Sequence, residues 1–299
     1  MTDVQEADAL ASLSDALAAR VAAGAPAVVS LRSAGHRPRS AVLWRDGVAV
    51  ASEQALREAE RYAAVLPGGH EVAATLAGRD KGSNVAALRL EAPASLPATA
   101  PEPKPGSLVL ALGADEGGGA TARLGVVHRT GPAWTSMAGG RIDALLMLDI
   151  RLDAREEGGP VLDAAGRLLG MSTFGPRRRV MVIPAATIAR VLPSLLEHGR
   201  MPRGWLGVGV QPVALPEALH APAGAAAGLM LVSLAEGGPA MQAGLLPGDI
   251  LLTLDGAALA HPRTLAERLG PERVGGEGTL RLLRGGEVKE VSVRIAARP

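Results

Sequence analysis

The sequence predicts a mainly β chain: two β units bracketed by an N-terminal and a closing helix, then a separate α+β domain. Three observations carry this expectation. Gly (38) and Pro (22) are abundant but dispersed, which suits many short strands joined by turns. Hydrophobic residues form 47% of the 299-residue chain and aromatic ones only 2%, so the cores must be assembled from Ala, Val, Leu and Ile. The length suggests about two domains, and the pattern restarts at Arg203 after a helix that ends in Gly199.

In chain order, Val4 to Ala23 places Leu10, Leu13, Leu17 and Val21 at helical spacing, and Gly24 with Pro26 ends that helix. Ala27–Leu31, Ala41–Trp44 and Val48–Ala51 read as strands, with Asp46-Gly47 as a hairpin turn. Glu53 to Tyr62 reads as a brief helix, and His70–Leu76 and Asn84–Leu90 as two more strands. Pro93, Pro97, Pro101, Pro103 and Pro105 then form a stiff, extended connector over 93–105. The second unit runs through Ser107–Gly113, Thr121–His128, Arg141–Asp149, a hairpin of Val161-Leu162 with Arg167–Thr173, and Val180–Pro184. Ala185–His198 is a helix with Gly199 at its C′ position, and His198 sits favourably against the helix dipole. Beyond Arg203, Gly204–Val210, Gly228–Ser233, a helix over Pro262–Leu269, and strands Gly278–Leu283 and Val288–Ile295 complete the chain.

Net charge is +1 with no block of five like charges, which favours neither nucleic acid nor a membrane surface. Without cysteine, disulfides, thiol catalysis and Cys-ligated zinc are excluded. The N-terminus lacks a basic stretch followed by an apolar one, and no apolar run of membrane-spanning length occurs. The expected location is therefore the cytoplasm, or the periplasm if a leader has been removed. The six histidines show no metal-ligand spacing, Gly117-Gly118-Gly119 is not a phosphate loop, and no metal or other cofactor is expected.

The chain is organised around Asp149–Phe174. Gly158-Gly159-Pro160 makes a tight corner, because two glycines permit positive φ and the proline fixes the exit. This resembles the nucleophile corner of trypsin-like serine proteases, where a serine precedes Gly-Gly-Pro and the corner's backbone N–H groups form the oxyanion hole. Here that position is Glu157. From Arg203 the chain resembles a PDZ domain, on Gly204-Trp-Leu-Gly-Val-Gly-Val210 and above all on Ala243-Gly-Leu-Leu-Pro-Gly-Asp-Ile-Leu-Leu-Thr-Leu-Asp-Gly256.

In this order the parts resemble the HtrA/Deg family over nearly the whole chain. The resemblance implies an N-terminal helix (1–24) and a trypsin-like double β-barrel domain (25–199), with barrel one at 25–92, the connector at 93–105, barrel two at 106–184 and the closing helix at 185–199. A PDZ domain (203–299) follows. It also places the catalytic histidine position at Gln54, within Ala51-Ser52-Glu53-Gln54-Ala55. The aspartate position falls at Asn84, within Gly78–Leu88, and the serine position at Glu157, within Arg155-Glu156-Glu157-Gly158-Gly159-Pro160. The remnant of the oxyanion corner is then Arg155, Glu157, Gly158 and Gly159. Gln54 cannot accept a proton at neutral pH, Asn84 carries no charge, and Glu157 would oppose a developing oxyanion.

The expectation is therefore a catalytically inactive homologue acting as scaffold, regulator or chaperone-like binder. The alternatives are an active serine endopeptidase with a relocated nucleophile, for which Ser136 in an exposed loop is a candidate, and a subunit that tunes an active paralogue. The Glu156-Glu157 pair reads as solvated or paired with Arg155, and Glu157 is expected to turn toward Arg155 or another basic side chain. The PDZ resemblance implies capture of a terminal carboxylate by Leu206-Gly207-Val208, continuation of the receiving strand at Val210, and a pocket for an apolar last residue lined by Leu265 and Leu269. Its partners would be peptide or protein C-termini. Relatives trimerise through aromatic contacts near the N-terminus, whereas this chain has one Phe and one Tyr, neither in its first 60 residues, so the oligomeric state stays open.

Overall fold

A computed structural model describes residues 2–56, 59 and 61–298, with side chains from residue 8 onward. They form two compact units, Met1–Met201 and Pro202–Pro299.

The first unit opens with helix α1 (Thr2–Gly24), whose Leu17 and Val21 pack on the second barrel while Leu10 and Leu13 are exposed. Strands β1 (Val28–Arg32), β2 (Arg39–Arg45), β3 (Val48–Ser52), β4 (Arg61–Val65), β5 (Glu71–Asp80) and β6 (Val85–Leu90) close into a barrel in the order β1-β2-β3-β6-β5-β4. Its interior is built from Val29, Leu31, Leu43 and Leu88 with many alanines and the single Tyr62, as the aromatic-poor composition requires. The brief helix expected over Glu53–Tyr62 is corrected. Glu53–Ala55 is one 3-10 turn, Arg57, Glu58 and Glu60 lie outside the described residues, and Tyr62 belongs to β4. The physical reason is closure: without β4, β1 and β5 would have unpaired edges, and β4 pairs with both.

The second barrel comprises β7 (Leu108–Ala114), β8 (Ala120–Gly131), β11 (Leu145–Asp149), β12 (Pro160–Asp163), β13 (Leu168–Phe174) and β14 (Val180–Pro184), in the order β11-β14-β13-β12-β7-β8. A small hairpin of β9 (Trp134–Thr135) and β10 (Arg141–Ile142) precedes β11. The continuous strand expected over Arg141–Asp149 is thus broken at Asp143, whose carboxylate accepts from Thr187 Oγ1 (2.9 Å) and Arg190 Nη2 (3.0 Å) on the closing helix. That helix, α2 (Ala185–His198), inserts Ile188, Val191, Leu192 and Leu195 among Val42, Val50 and Val85 of barrel one, Met171 and Ile183 of barrel two and Ile142 of the β9–β10 hairpin. It locks the barrels together, and Gly199 ends it at φ +71.

The second unit holds β15 (Gly204–Trp205), β16 (Val208–Ala214), α3 (Glu217–Ala223), β17 (Ala227–Leu234), α4 (Pro239–Gln242), β18 (Ile250–Leu254), β19 (Ala257–Ala258), α5 (Pro262–Arg268), β20 (Glu277–Arg284), β21 (Glu287–Arg294) and β22 (Ala296–Ala297). The main sheet runs β16-β17-β18-β20-β21, so β16 is an edge strand. Helix α5 packs alongside it. Asp249, inside the Gly-Asp-Ile signature, is buried and held bidentately by Arg284 (2.7 Å to each oxygen), which fastens the β18 entry to β20.

Candidate functional site

The cleft between the barrels brings Gln54, Asn84 and Glu157 together. Gln54 stands in the turn after β3. Asn84 ends the turn between β5 and β6 at φ +56, a conformation asparagine tolerates, and Asp80 prepares that turn by accepting the N–H groups of Gly82 (3.1 Å) and Ser83 (2.8 Å). Glu157 comes from the corner before β12. Its Oε1 accepts from Gln54 Nε2 (2.7 Å), Ser52 Oγ (3.0 Å), Thr173 Oγ1 (3.0 Å) and the Phe174 N–H (3.3 Å). Asn84 donates from Nδ2 to Thr173 Oγ1 (2.7 Å) and Ser52 Oγ (3.1 Å), while its Oδ1 accepts the Gln54 N–H (2.8 Å). Each hydroxyl carries one proton. With Asn84 donating into their lone pairs, Ser52 and Thr173 are free to give those protons to the carboxylate. Glu157 is only 6% exposed and lies beneath the exposed Gln54.

Two expectations are overturned here. Glu157 bonds to neutral donors and not to Arg155, whose guanidinium pairs with Glu116 (3.0 Å) and lies 3.6 Å from Asp153. The Glu156-Glu157 pair is buried, not solvated, and Glu156 turns the opposite way to Arg123 Nε (2.9 Å), Thr121 Oγ1 (3.3 Å) and the Asp153 N–H (2.7 Å). The cause is the turn itself, which sends successive side chains to opposite sides. Ser52 and Thr173, both fully or nearly fully buried, are members of the network that sequence reasoning missed. Only Ser52's place two residues before Gln54 hinted at its involvement.

The corner is pinned on both sides. A Cβ at Gly158 would collide with the Ser40 carbonyl, and one at Gly159 with the Leu112 carbonyl, so both must be glycine. The Arg155 carbonyl accepts from Ser40 N (2.8 Å) and Ser40 Oγ (2.7 Å), and the Arg155 N–H donates to Asp153 Oδ1 (3.0 Å). That bond is the chief cause holding the Asp153 carboxyl below its ordinary range. Ser136 is half-buried, not exposed. Its hydroxyl donates to the Gly82 carbonyl (2.7 Å) and accepts the Gly140 N–H (3.2 Å), the bonding of a turn residue. Among the described residues no acidic or histidine cluster is placed to hold a metal.

The second unit holds the other predicted site. Leu206 and Gly207 connect β15 to Val208, the first residue of β16, with Gly207 at φ +75. A Cβ there would lie 3.2 Å from both Ala235 Cβ and the Trp205 ring. The Leu206 carbonyl accepts the Ala240 N–H (2.9 Å) and the Gly207 carbonyl the Ala235 N–H (2.7 Å), so this loop is fixed by its own oxygens. Val208 and Val210 pack on a core cluster containing Leu206, Leu265 and Leu269. The helix expected to reach Leu269 ends at Arg268. Leu269 is its C-cap, its carbonyl accepting the Gly204 N–H (2.9 Å), and both Leu265 and Leu269 belong to the cluster on which Val208 and Val210 pack.

Residues 39–171 match the model of the trypsin-like peptidase domain, and residues 204–295 that of the PDZ domain. A probable periplasmic serine endoprotease DegP-like of Brucella suis biovar 1 is 29% identical over 269 residues, covering 86% of this chain and 52% of that protein. Its counterpart in Rhizobium meliloti is 28% identical over 267 residues, with 86% and 52% covered. Among solved structures, the HtrA-type protease AlgW with decapeptide superposes with a TM-score of 0.72 at 26% identity, covering 94% of this chain and 98% of that one. The chain belongs to the HtrA family. It spans about half the length of the curated relatives it matches. The network of Gln54, Asn84 and Glu157 thus lies within the part of the chain matching the peptidase domain, and Leu206–Val208 with edge strand β16 within the part matching the PDZ domain.

Proposed function

We propose that this chain is a catalytically inactive HtrA-type protein that binds the C-terminal ends of peptides or proteins through its PDZ domain, as scaffold, regulator or chaperone-like binder. The observation that carries the reading is the closed network of Gln54, Asn84 and Glu157. These residues occupy the positions where the family resemblance places histidine, aspartate and serine, and they hydrogen-bond within one network. Proton transfer from a hydroxyl nucleophile relies on a positioned base, and the position where the resemblance places histidine holds the amide of Gln54, which cannot take the proton. The network's two hydroxyls belong to the buried Ser52 and Thr173.

Binding rests on the open edge of β16 beside α5, with Gly207 giving a ligand carboxylate close approach to the backbone at Leu206–Val208. The last side chain of the ligand is apolar, since Val208, Val210, Leu265 and Leu269 offer it only hydrocarbon. We assign the periplasm, the compartment in the relatives' names, in place of the cytoplasm expected from the N-terminus. No helix among the described residues is long and apolar enough to cross a membrane.

A second reading, endopeptidase activity, draws on those same names, which describe serine endoproteases. Labelling with a serine-directed fluorophosphonate separates the two. We expect no covalent adduct. An adduct on any serine, with casein hydrolysis that is lost when that serine becomes alanine, would establish a protease.

A further inference from the structure

The edge strand that receives the ligand is interrupted by a proline, and the direction of each backbone group along it follows from the ladder. Beyond the β16–β17 register, Leu215 N–H donates to the Ala226 carbonyl (2.9 Å), so residue 215 faces β17. Alternation then turns Val213 and Gln211, paired with Gly228 and Met230, toward β17 as well. Before the bulge between Gly209 and Val210, the Gly207 carbonyl accepts the Ala235 N–H, so Gly207 and Gly209 also face β17. The groups presented to the open edge are therefore those of Val208, Val210 and Pro212. The first two offer both N–H and C=O. Pro212 has no N–H, and its ring carbon occupies the place of the missing hydrogen.

We infer that Pro212 ends the groove, so that the PDZ domain of this chain reads only the last three or four residues of its ligand. This rests on the peptide-binding reading above. With the terminal carboxylate at Leu206–Val208, an antiparallel ligand places its last residue opposite Val208. Its third-from-last residue exchanges two hydrogen bonds with Val210, and its fifth-from-last residue meets Pro212. The carbonyl of that fifth residue finds a carbon where a donor is needed, and the chain leaves the sheet. Val208 and Val210 share the face that packs on the Leu206, Leu265 and Leu269 cluster, so the last and third-from-last side chains lie on the α5 side. The second-from-last lies over Gly209, which has no side chain to select it. The ligand class is thus a short free tail protruding from a folded body, recognised at two alternate positions.

The test is calorimetry on the full chain with N-acetylated peptides of four, six and ten residues sharing one sequence at the C-terminus and ending in Leu or Val. The native chain should bind all three within twofold. Pro212→Thr, which supplies the donor on a residue suited to strands, should bind the six- and ten-residue peptides roughly threefold to tenfold more tightly than the four-residue one, the weight of one backbone hydrogen bond. The native length series stands by itself if that variant does not fold. Affinity that climbs with length in the native chain overturns the inference while leaving the groove intact, and so does a folded Pro212→Thr chain that shows no length dependence. Equal binding of amidated and free-acid four-residue peptides, or no binding by any free acid, overturns the groove reading and this inference with it.

Discussion

Under the inactive reading, installing histidine, aspartate and serine at positions 54, 84 and 157 should not by itself create an active enzyme, and the geometry of the corner sets the expected shortfall. The perturbation is the triple variant Gln54→His, Asn84→Asp, Glu157→Ser. The side chain of Gln54 already reaches Glu157, with 2.7 Å between Nε2 and Oε1, and Asn84 Oδ1 already accepts the Gln54 backbone N–H at 2.8 Å, so bringing the three positions together is not the main obstacle. The obstacle is the corner. The amide two residues before the nucleophile position, that of Arg155, is committed to Asp153 Oδ1 at 3.0 Å, and the Arg155 carbonyl is clamped by Ser40. Losing one oxyanion donor costs roughly 10²–10³ in turnover, about 3–4 kcal/mol of transition-state stabilisation. Glu157→Ser alone should show no activity, because Gln54 cannot take its proton. The triple variant should reach no more than about 1% of the activity gained once the amide is also released by Asp153→Ala. Initial rates on fluorescent casein, normalised by fluorophosphonate titration of the serine introduced at position 157, measure both. Equal specific activity of the triple and quadruple variants would show that the Arg155 amide does not limit catalysis.

Other outcomes follow from the same geometry. Native protein should not cleave casein-type substrates above background, and Ser136→Ala should leave that background unchanged, as checked by repeated purification. Free-acid peptides ending in an apolar residue should bind at least about tenfold more tightly than their amides, a difference of about 1.4 kcal/mol. Gly207→Ala should abolish the difference in calorimetry, because of its +75 φ and the contact with Ala235. For Asp249, burial pushes the carboxyl up, but the Arg284 hydrogen bonds, the Leu246 N–H and the Arg284 charge bring it below its ordinary value. Its stabilising contribution is therefore complete above the unfolded pKa of about 3.9 and is lost as pH falls through the lower folded value. Asp249→Asn should flatten that acid limb in urea titrations of the second unit. Arg284→Met should cost about 3 kcal/mol at neutral pH, the low end for breaking a buried pair, because Arg284 is 29% exposed.

The fold was legible wherever one physical signal dominated. The turn glycine Gly47, the C′ glycine Gly199 and the corner glycine Gly158 needed only backbone rules, and each has the positive φ those rules require, whereas Gly159 is fixed by its close approach to the Leu112 carbonyl. Strand β4 was not legible, because Glu53–Tyr62 mixes charge and alanine in a helical manner, while the demand for a strand there comes from edges of β1 and β5 far away in sequence. The cleft divides in the same way. Gln54, Asn84 and Glu157 were placed by the resemblance of their segments to family motifs, but Ser52 and Thr173 lie 121 residues apart and a buried hydroxyl leaves no mark in a sequence. Charge arithmetic misassigned Glu157 to Arg155 because adjacency in sequence is not adjacency in a turn.

That error bears on how such a cleft stays folded. A buried carboxylate without a cation must find enough donors, and three side-chain donors with one backbone N–H meet at a single oxygen here. Glutamine at position 54 serves this end better than histidine would. Its amide donates to Glu157 and to the Phe174 carbonyl (2.8 Å) at every pH, whereas a neutral imidazole has one N–H. Under the inactive reading, the substitutions at 54, 84 and 157 form one compensated set, in which replacing any single member leaves a buried donor or acceptor unmatched. Gln54→Leu should then destabilise the first unit by about 1–3 kcal/mol in denaturant titrations, although the residue lies at the exposed mouth of the cleft. A change within 0.5 kcal/mol would mean that water takes over its bonds and that the three substitutions are energetically independent.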